Sequence, residues 1–411
     1  MAELLRIEEP VALRPRAPRW SAFLELGFRP LYLGACFWAA FAVAVWVFAP
    51  GWAAGPMGGV AWHAHEMLWG FIATVAVGFL LTASHNWTGI HPLKGRSLGG
   101  LCLLWMVARA GYLSTDRRAF CVAAAAELLF FLLAAAALGR AIYRDPNRRN
   151  DGLPLLVAAL GAADGLYLLA QWQGDHAMAM RRFDTGLLCM AVVTLLIARR
   201  VIPFFAMRAI PGLAVPTHAR SGRWQLGAGV LAIGCGLAGL PRASALPLAA
   251  AGVIALVQLA AWKPWAVRRV PLLWILYAGY GGLGAGLLVA AAHAAGGVVR
   301  AAWPAHAIGV AGFSVLIIGM VTRTALGHLG RPLRTDRLIV LSYAGVIAAA
   351  ALRLLALLPG PWTIAALHGS ACAWVLAFGL YLWRFTPMMI RPRADAPGGR
   401  AMGIVLRSGG R

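Results

Sequence analysis

Two histidines, a carboxylate and a thioether stand within a few residues of one another, His63, His65, Glu66 and Met67, in the run Trp62-His63-Ala64-His65-Glu66-Met67. Neutral imidazole is the commonest protein ligand for haem iron and copper. The run opens a long apolar stretch that continues through Phe71, Val75, Phe79 and Leu81. A polar group placed there without a partner costs roughly 2–7 kcal/mol. Ionisable residues inside membrane spans mark ligand, ion or cofactor sites. On a helix His63 and His65 point about 200° apart. One can face a bundle core and bind iron while the other faces a second metal, a neighbouring helix or solvent. Met67, four residues on, shares the face of His63, and Glu66 is placed to orient a histidine as an acceptor. A purely interfacial role is the competing reading, since His, Glu and Trp62 are comfortable at the headgroup level.

The elements that must position these groups are membrane helices. Of 411 residues 61% are hydrophobic and 12% charged, and apolar runs long enough to span a bilayer recur along the whole chain. We read an all-α membrane protein, a polytopic bundle of about 12 transmembrane helices. The spans fall at about 26–49, 61–83, 97–114, 119–139, 152–173, 184–205, 224–241, 245–262, 270–293, 303–325, 338–358 and 361–383. They form a single domain, 24–385, between tails 1–23 and 386–411. Residues 1–23 lack the apolar core of a cleavable signal peptide. Glycines 279, 281, 282, 284 and 286 in the ninth span allow close helix contact. The net charge of +23 sits in short loops, which speaks for topology and against nucleic acid. The six cysteines form no CxxC pair and no CxxCH, so covalent c-type haem is not expected.

On this alternation 28 Lys and Arg lie on one side, six on the other and three within spans. Both the N- and C-termini are therefore expected in the cytoplasm. His63, His65, His293, His306 and His176 then fall at the outer ends of spans or outside them, and His368 lies roughly 10 Å deep from the outer end of the twelfth. His85, His91, His218 and His328 fall on the inner side. His306 and His328 are about 33 Å apart along one helix and cannot share a metal. Arg109 and Arg353, within spans, are open to two roles: pairing with the propionates of a haem, or snorkelling to the interface. Asp164 and Glu127, also within spans, belong to a proton path or are neutral hydrogen-bonded structural acids.

Several of these segments together resemble one family. Phe28-Arg29-Pro30, the run from Trp62 to Met67, Gly78-Phe79-Leu80-Leu81-Thr82-Ala83 and Asn86-Trp87-Thr88-Gly89 are similar to the NnrS family. So are Arg200-Val201-Ile202-Pro203-Phe204-Phe205, the stretch from His306 to Gly312 leading into Met320-Val321-Thr322-Arg323 and Leu326-Gly327-His328, and the tail from Pro387 through Arg391-Pro392-Arg393 to Gly398. The pair Ser84-His85 departs from the pattern, where an aliphatic residue and a proline would be expected. The resemblance implies a multi-pass protein of the bacterial inner (cytoplasmic) membrane that contains haem and copper and takes part in the nitric oxide response, nitrosative stress and denitrification. A more distant resemblance connects span two (His63, Met67, Gly78-Phe79) and span ten (His306, Gly312) with the second and tenth helices of haem–copper oxidase subunit I, which carry opposing ligands of a low-spin haem. The copper-site pattern of that subunit is absent, so oxidase or NO reductase turnover is not implied.

These readings make b-type haem between spans two and ten the expectation, with His63 or His65 and His306 as iron ligands. Copper is expected on the remaining outer histidines, His65, His293 and His368. The implied partners are haem, copper, nitric oxide and the lipid bilayer. A transporter for a metal or a small nitrogen compound is the alternative, which twelve spans holding Asp164, Glu127 and Glu66 would permit. A sensor or scaffold without catalysis is a third reading.

Overall fold

The computed structural model describes residues 17–53, 55–146 and 148–395. The expected tails 1–23 and 386–411 therefore lie largely outside the described residues. Among the described residues the chain is helical, with no strand.

Among the described residues twelve long helices follow one another: α1 Phe28–Phe48, α2 Val60–Thr88, α3 Arg96–Tyr112, α4 Arg117–Ile142, α5 Leu153–Trp172 and α6 His176–Ala209, then α7 Ala219–Leu237, α8 Pro241–Ala261, α9 Pro271–Ala294, α10 Ala302–His328, α11 Arg337–Leu355 and α12 Thr363–Met389. Ten of these are long and apolar enough to cross a bilayer; α3, at 17 residues, and α7 are the two that fall short of those criteria. Exposed Leu103, Val122, Leu132, Leu246 and Leu376 give the bundle an apolar exterior. A helical bundle with such an exterior is a polytopic membrane protein, since helices satisfy their own backbone groups in lipid.

Sequence punctuation sets the helix ends. Asp116, Asp175 and Asp336 accept hydrogen bonds from the backbone N–H groups of Arg118, Met178 and Ile339, at 2.8, 2.8 and 3.0 Å. These caps satisfy otherwise orphaned first-turn donors of α4, α6 and α11. Gly89, at φ 71°, closes α2 in the left-handed region that glycine adopts without strain. Arg29, at the start of α1, donates to the carbonyls of Met389 and Arg391 at 3.1 and 2.7 Å. It thus serves as the C-terminal cap of α12 and joins the two ends of the bundle wall.

Helix α2 is the central element. In its most apolar window 89% of residues are buried, against 33 to 67% in the other nine membrane-length helices. It packs against α1, α4, α6 and α10, while α12 closes the wall against α1. Both α2 and α10 contain a π-helical stretch, Glu66–Ala73 and Ala307–Ser314. The two stretches end alike. Thr74 Oγ1 donates to the carbonyl of Trp69 at 2.9 Å, and Ser314 Oγ to that of Gly309 at 2.8 Å. Each hydroxyl reaches five residues back, the spacing that a π turn itself uses.

The glycines of α9 press it onto α10. A Cβ at Gly282 would lie 2.1 Å from the Ala311 carbonyl oxygen, and one at Gly279 2.5 Å from the Leu316 nitrogen. Both opposing atoms are backbone and cannot step aside. Overpacking of this kind costs about 1–3 kcal/mol. Gly282→Ala is therefore expected to lower the Tm of the detergent-solubilised protein. Gly227→Ala in α7, where a Cβ meets nothing within 4 Å, is expected to leave it unchanged or raise it.

Candidate functional site

The run Trp62–Met67 lies at the start of α2, and its two histidines enter different surroundings. His65 is fully buried in a web of charged groups drawn from four helices. Its Nδ1 lies 2.9 Å from Glu66 Oε1. Its Nε2 lies 3.0 Å from Asp164 Oδ1 on α5 and 3.2 Å from Glu127 Oε2 on α4. Arg109 on α3 donates from Nη1 to Glu66 Oε2 at 2.6 Å and from Nη2 to Glu127 Oε1. Trp38 Nε1 on α1 also donates to Glu66 Oε2. Around the imidazole, Tyr112 stands edge-on at 4.8 Å, Tyr167 is stacked at 5.5 Å and Trp69 is tilted at 5.3 Å.

Local backbone makes room for this. A Cβ at Gly70 would lie 2.3 Å from Arg109 Nη1 and 2.8 Å from Glu66 Oε2. The bare backbone of the π stretch lets the guanidinium enter. Trp105 Nε1 donates to the Gly70 carbonyl at 3.2 Å, partnering a carbonyl in the π stretch.

His63 faces the other way, toward α10. Its ring lies 6.3 Å from that of His306, with 21° between the planes, and stacks on Trp46 at 5.2 Å and 11°. His63 Nδ1 is buried without a hydrogen-bond partner. His306 Nδ1 sits 2.7 Å from the Ala302 carbonyl. That bond makes Nδ1 the protonated nitrogen and leaves Nε2 with a free lone pair. Arg353, partly buried on α11, lies within electrostatic range of both rings.

The other sequence-derived candidates are placed as follows. Arg109 engages carboxylates of the protein itself and is 2% exposed, whereas Arg353 pairs with no carboxylate among the described residues. Asp164 and Glu127 both converge on His65. Met67 is half-buried against the core. His293, at the end of α9, has Nδ1 2.5 Å from the Val298 carbonyl. His368 is exposed, with its ring 5.5 Å from Phe48, and His176 is exposed. Sequence reasoning did not find Trp38, Trp46, Gly70, Tyr112 or Tyr167, since aromatic residues and glycine in apolar runs carry no local signal. It also did not find that the rings of His85 and His91, at the opposite end of α2, stack at 3.6 Å. Near the π stretches an apolar crevice of about 80 Å³ is lined by residues including Ile72, Val75, Phe79, Met190, Phe313 and Leu316.

The fold and these polar clusters define a class: a polytopic helical membrane protein with imidazoles paired between two central helices. The NnrS protein family model matches residues 22–393, nearly the whole chain, and the chain belongs to that family. Among curated proteins none matches it.

Removing one partner from a buried ion pair leaves an uncompensated charge and costs about 3–5 kcal/mol. Arg109→Met is expected to destabilise the protein by that amount, measured by thermal or denaturant unfolding in detergent. Arg109→Lys should recover only part of the loss, because an ammonium lacks the fork that spans two carboxylates.

Proposed function

We propose that this chain is a twelve-span protein of the bacterial inner membrane that binds b-type haem and copper and contributes to tolerance of nitric oxide and nitrosative stress. Membership of the NnrS family and the polytopic helical fold support the reading. With twelve spans, 28 of the 37 Lys and Arg in the sequence would fall on one side, which supports a cytoplasmic position for both termini.

The observation that carries the haem assignment is the pairing of His63 with His306. Two imidazoles that bind one iron through nitrogens at about 2 Å have ring centroids roughly 6 Å apart; here they are 6.3 Å apart with planes 21° from parallel. Both rings are ready as ligands. His306 is held in the tautomer that presents Nε2, and His63 is fixed by Trp46 and carries a buried nitrogen without a partner. Arg353 offers a propionate its positive charge. Iron bound there would either carry electrons, with both histidines as ligands, or bind nitric oxide if one of them yields its place. Copper falls to histidines outside this pair; His293, with Nδ1 held by the Val298 carbonyl, presents Nε2.

The test is the visible spectrum of the purified protein, oxidised and dithionite-reduced, with and without nitric oxide, alongside metal analysis. A Soret band, narrow reduced α and β bands and a b-type pyridine haemochrome are expected. His63→Ala and His306→Ala should each abolish or shift that spectrum, while His176→Ala leaves it unchanged. Full haem retention in both pair variants would sink the assignment. A folded, colourless protein from haem-supplemented cells would make transport the leading account.

A further inference from the structure

We propose that His65, Glu127 and Asp164 form a second metal site, separate from the His63–His306 pair, that takes one divalent transition ion. The proposal does not depend on haem being bound at the other site.

Four observations converge on it. The first is the spacing of the donors. One nitrogen of His65 and one oxygen from each carboxylate lie within 4.8 Å of one another. Nε2 stands 3.0 Å from Asp164 Oδ1 and 3.2 Å from Glu127 Oε2. An ion with bonds of about 2.0–2.2 Å places neighbouring donor atoms roughly 3.0–3.5 Å apart. The second is the backing of the histidine. His65 Nδ1 meets Glu66 Oε1 at 2.9 Å, and Glu66 is itself held by Arg109 and Trp38. A metal-binding imidazole characteristically gives its other N–H to an anchored carboxylate, which fixes the ring and raises its basicity.

The third is unmet acceptor capacity. Asp164 is fully buried, and its Oδ2 has no hydrogen-bond partner. Glu127 Oε2 is 3.2 Å from His65 Nε2, and the Tyr112 hydroxyl is within reach of Glu127, but neither donor meets full hydrogen-bond geometry at Oε2. Ionised carboxylate oxygens only accept, so a buried one without a donor calls for a cation. The fourth is charge. Glu66, Glu127 and Asp164 as carboxylates against Arg109 leave the cluster two negative charges in excess when His65 is neutral. All of these residues are 2% exposed or less. One divalent ion brings the buried set to neutrality.

The donor set narrows the ion. One imidazole and two carboxylates, with no sulfur, suit Zn²⁺, Mn²⁺, Fe²⁺ or Co²⁺ and disfavour Cu⁺. Burial of every donor predicts slow exchange with solvent.

The experiment uses the full-length protein purified without chelator, in the wild-type background and in a His63→Ala/His306→Ala background. Elemental analysis is expected to find one divalent Zn²⁺, Mn²⁺, Fe²⁺ or Co²⁺ ion per chain beyond any haem iron and copper in both, and Co²⁺ added after chelation should give d–d absorption bands. Asp164→Asn and Glu127→Gln, which keep side-chain shape, should each weaken Zn²⁺ or Co²⁺ affinity roughly tenfold or more and lower the metal retained through purification. Zn²⁺ added to the stripped wild-type protein should raise its Tm, a readout that needs no variant. Undiminished metal in both carboxylate variants would overturn the proposal. So would a folded wild-type protein that takes up neither Zn²⁺ nor Co²⁺, which would mean that protons neutralise the cluster.

Discussion

The interaction on which the rest of the structure depends is the guanidinium of Arg109 held between Glu66 and Glu127 inside an apolar bundle. An isolated charge there is prohibitive, and its compensation has to come from other helices. That requirement fixes geometry. α3, α4 and α5 must each present one charged side chain toward α2 at one level, α1 must present Trp38, and α2 must lack a side chain at position 70. Helix packing in a membrane has little hydrophobic driving force between helices. A web of this kind supplies the specificity that apolar contact alone does not.

The family segments then divide by location. The segments that carry His63, His65 and His306 gather at one end of the bundle. At the other end several act as joints between walls: Arg29 caps α12, the Phe28 N–H bonds Thr82, and the Arg323 guanidinium lies 3.9 Å over the ring of Phe205. Arg200, in the same segment as Phe205, bonds Asn150 at 3.1 Å. The joints connect α1 to α2 and α12, α6 to α10, and α6 to the loop before α5. They hold together the helices that carry the histidines without touching those residues.

Much of the architecture was legible in the sequence because a membrane helix needs only its own apolar run and its ends. Each of the twelve runs coincides with a long helix, ten of which are long and apolar enough to cross a membrane among the described residues, with ends differing by up to eight residues, and the glycines of the ninth run do mark close packing. The divergence of His63 and His65 also follows from helical geometry. Which partners they reach does not. His65 and Asp164 are separated by 99 positions, and nothing local to either indicates that α4 and α5 stand beside α2 at that depth. Arg109 was legible as a charge within a span, but its two carboxylate partners depend on the order of helices around the wall. The π stretches left only an indirect trace, a threonine and a serine among apolar residues.

Those stretches have a consequence for how the histidines are aimed. Each winds the backbone more widely than the α-helix around it, so the residues on its two sides are out of step with a single helical repeat. Rewinding either as an ordinary α-helix with all its residues kept would turn everything before it by about 100° relative to everything after it. The azimuth of His63 and His65 on α2, and of His306 on α10, is thus adjusted independently of the faces with which these helices pack further along. The two central helices can keep tight contacts with their neighbours while their polar ends are rotated to meet each other, like two pointers mounted on offset shafts.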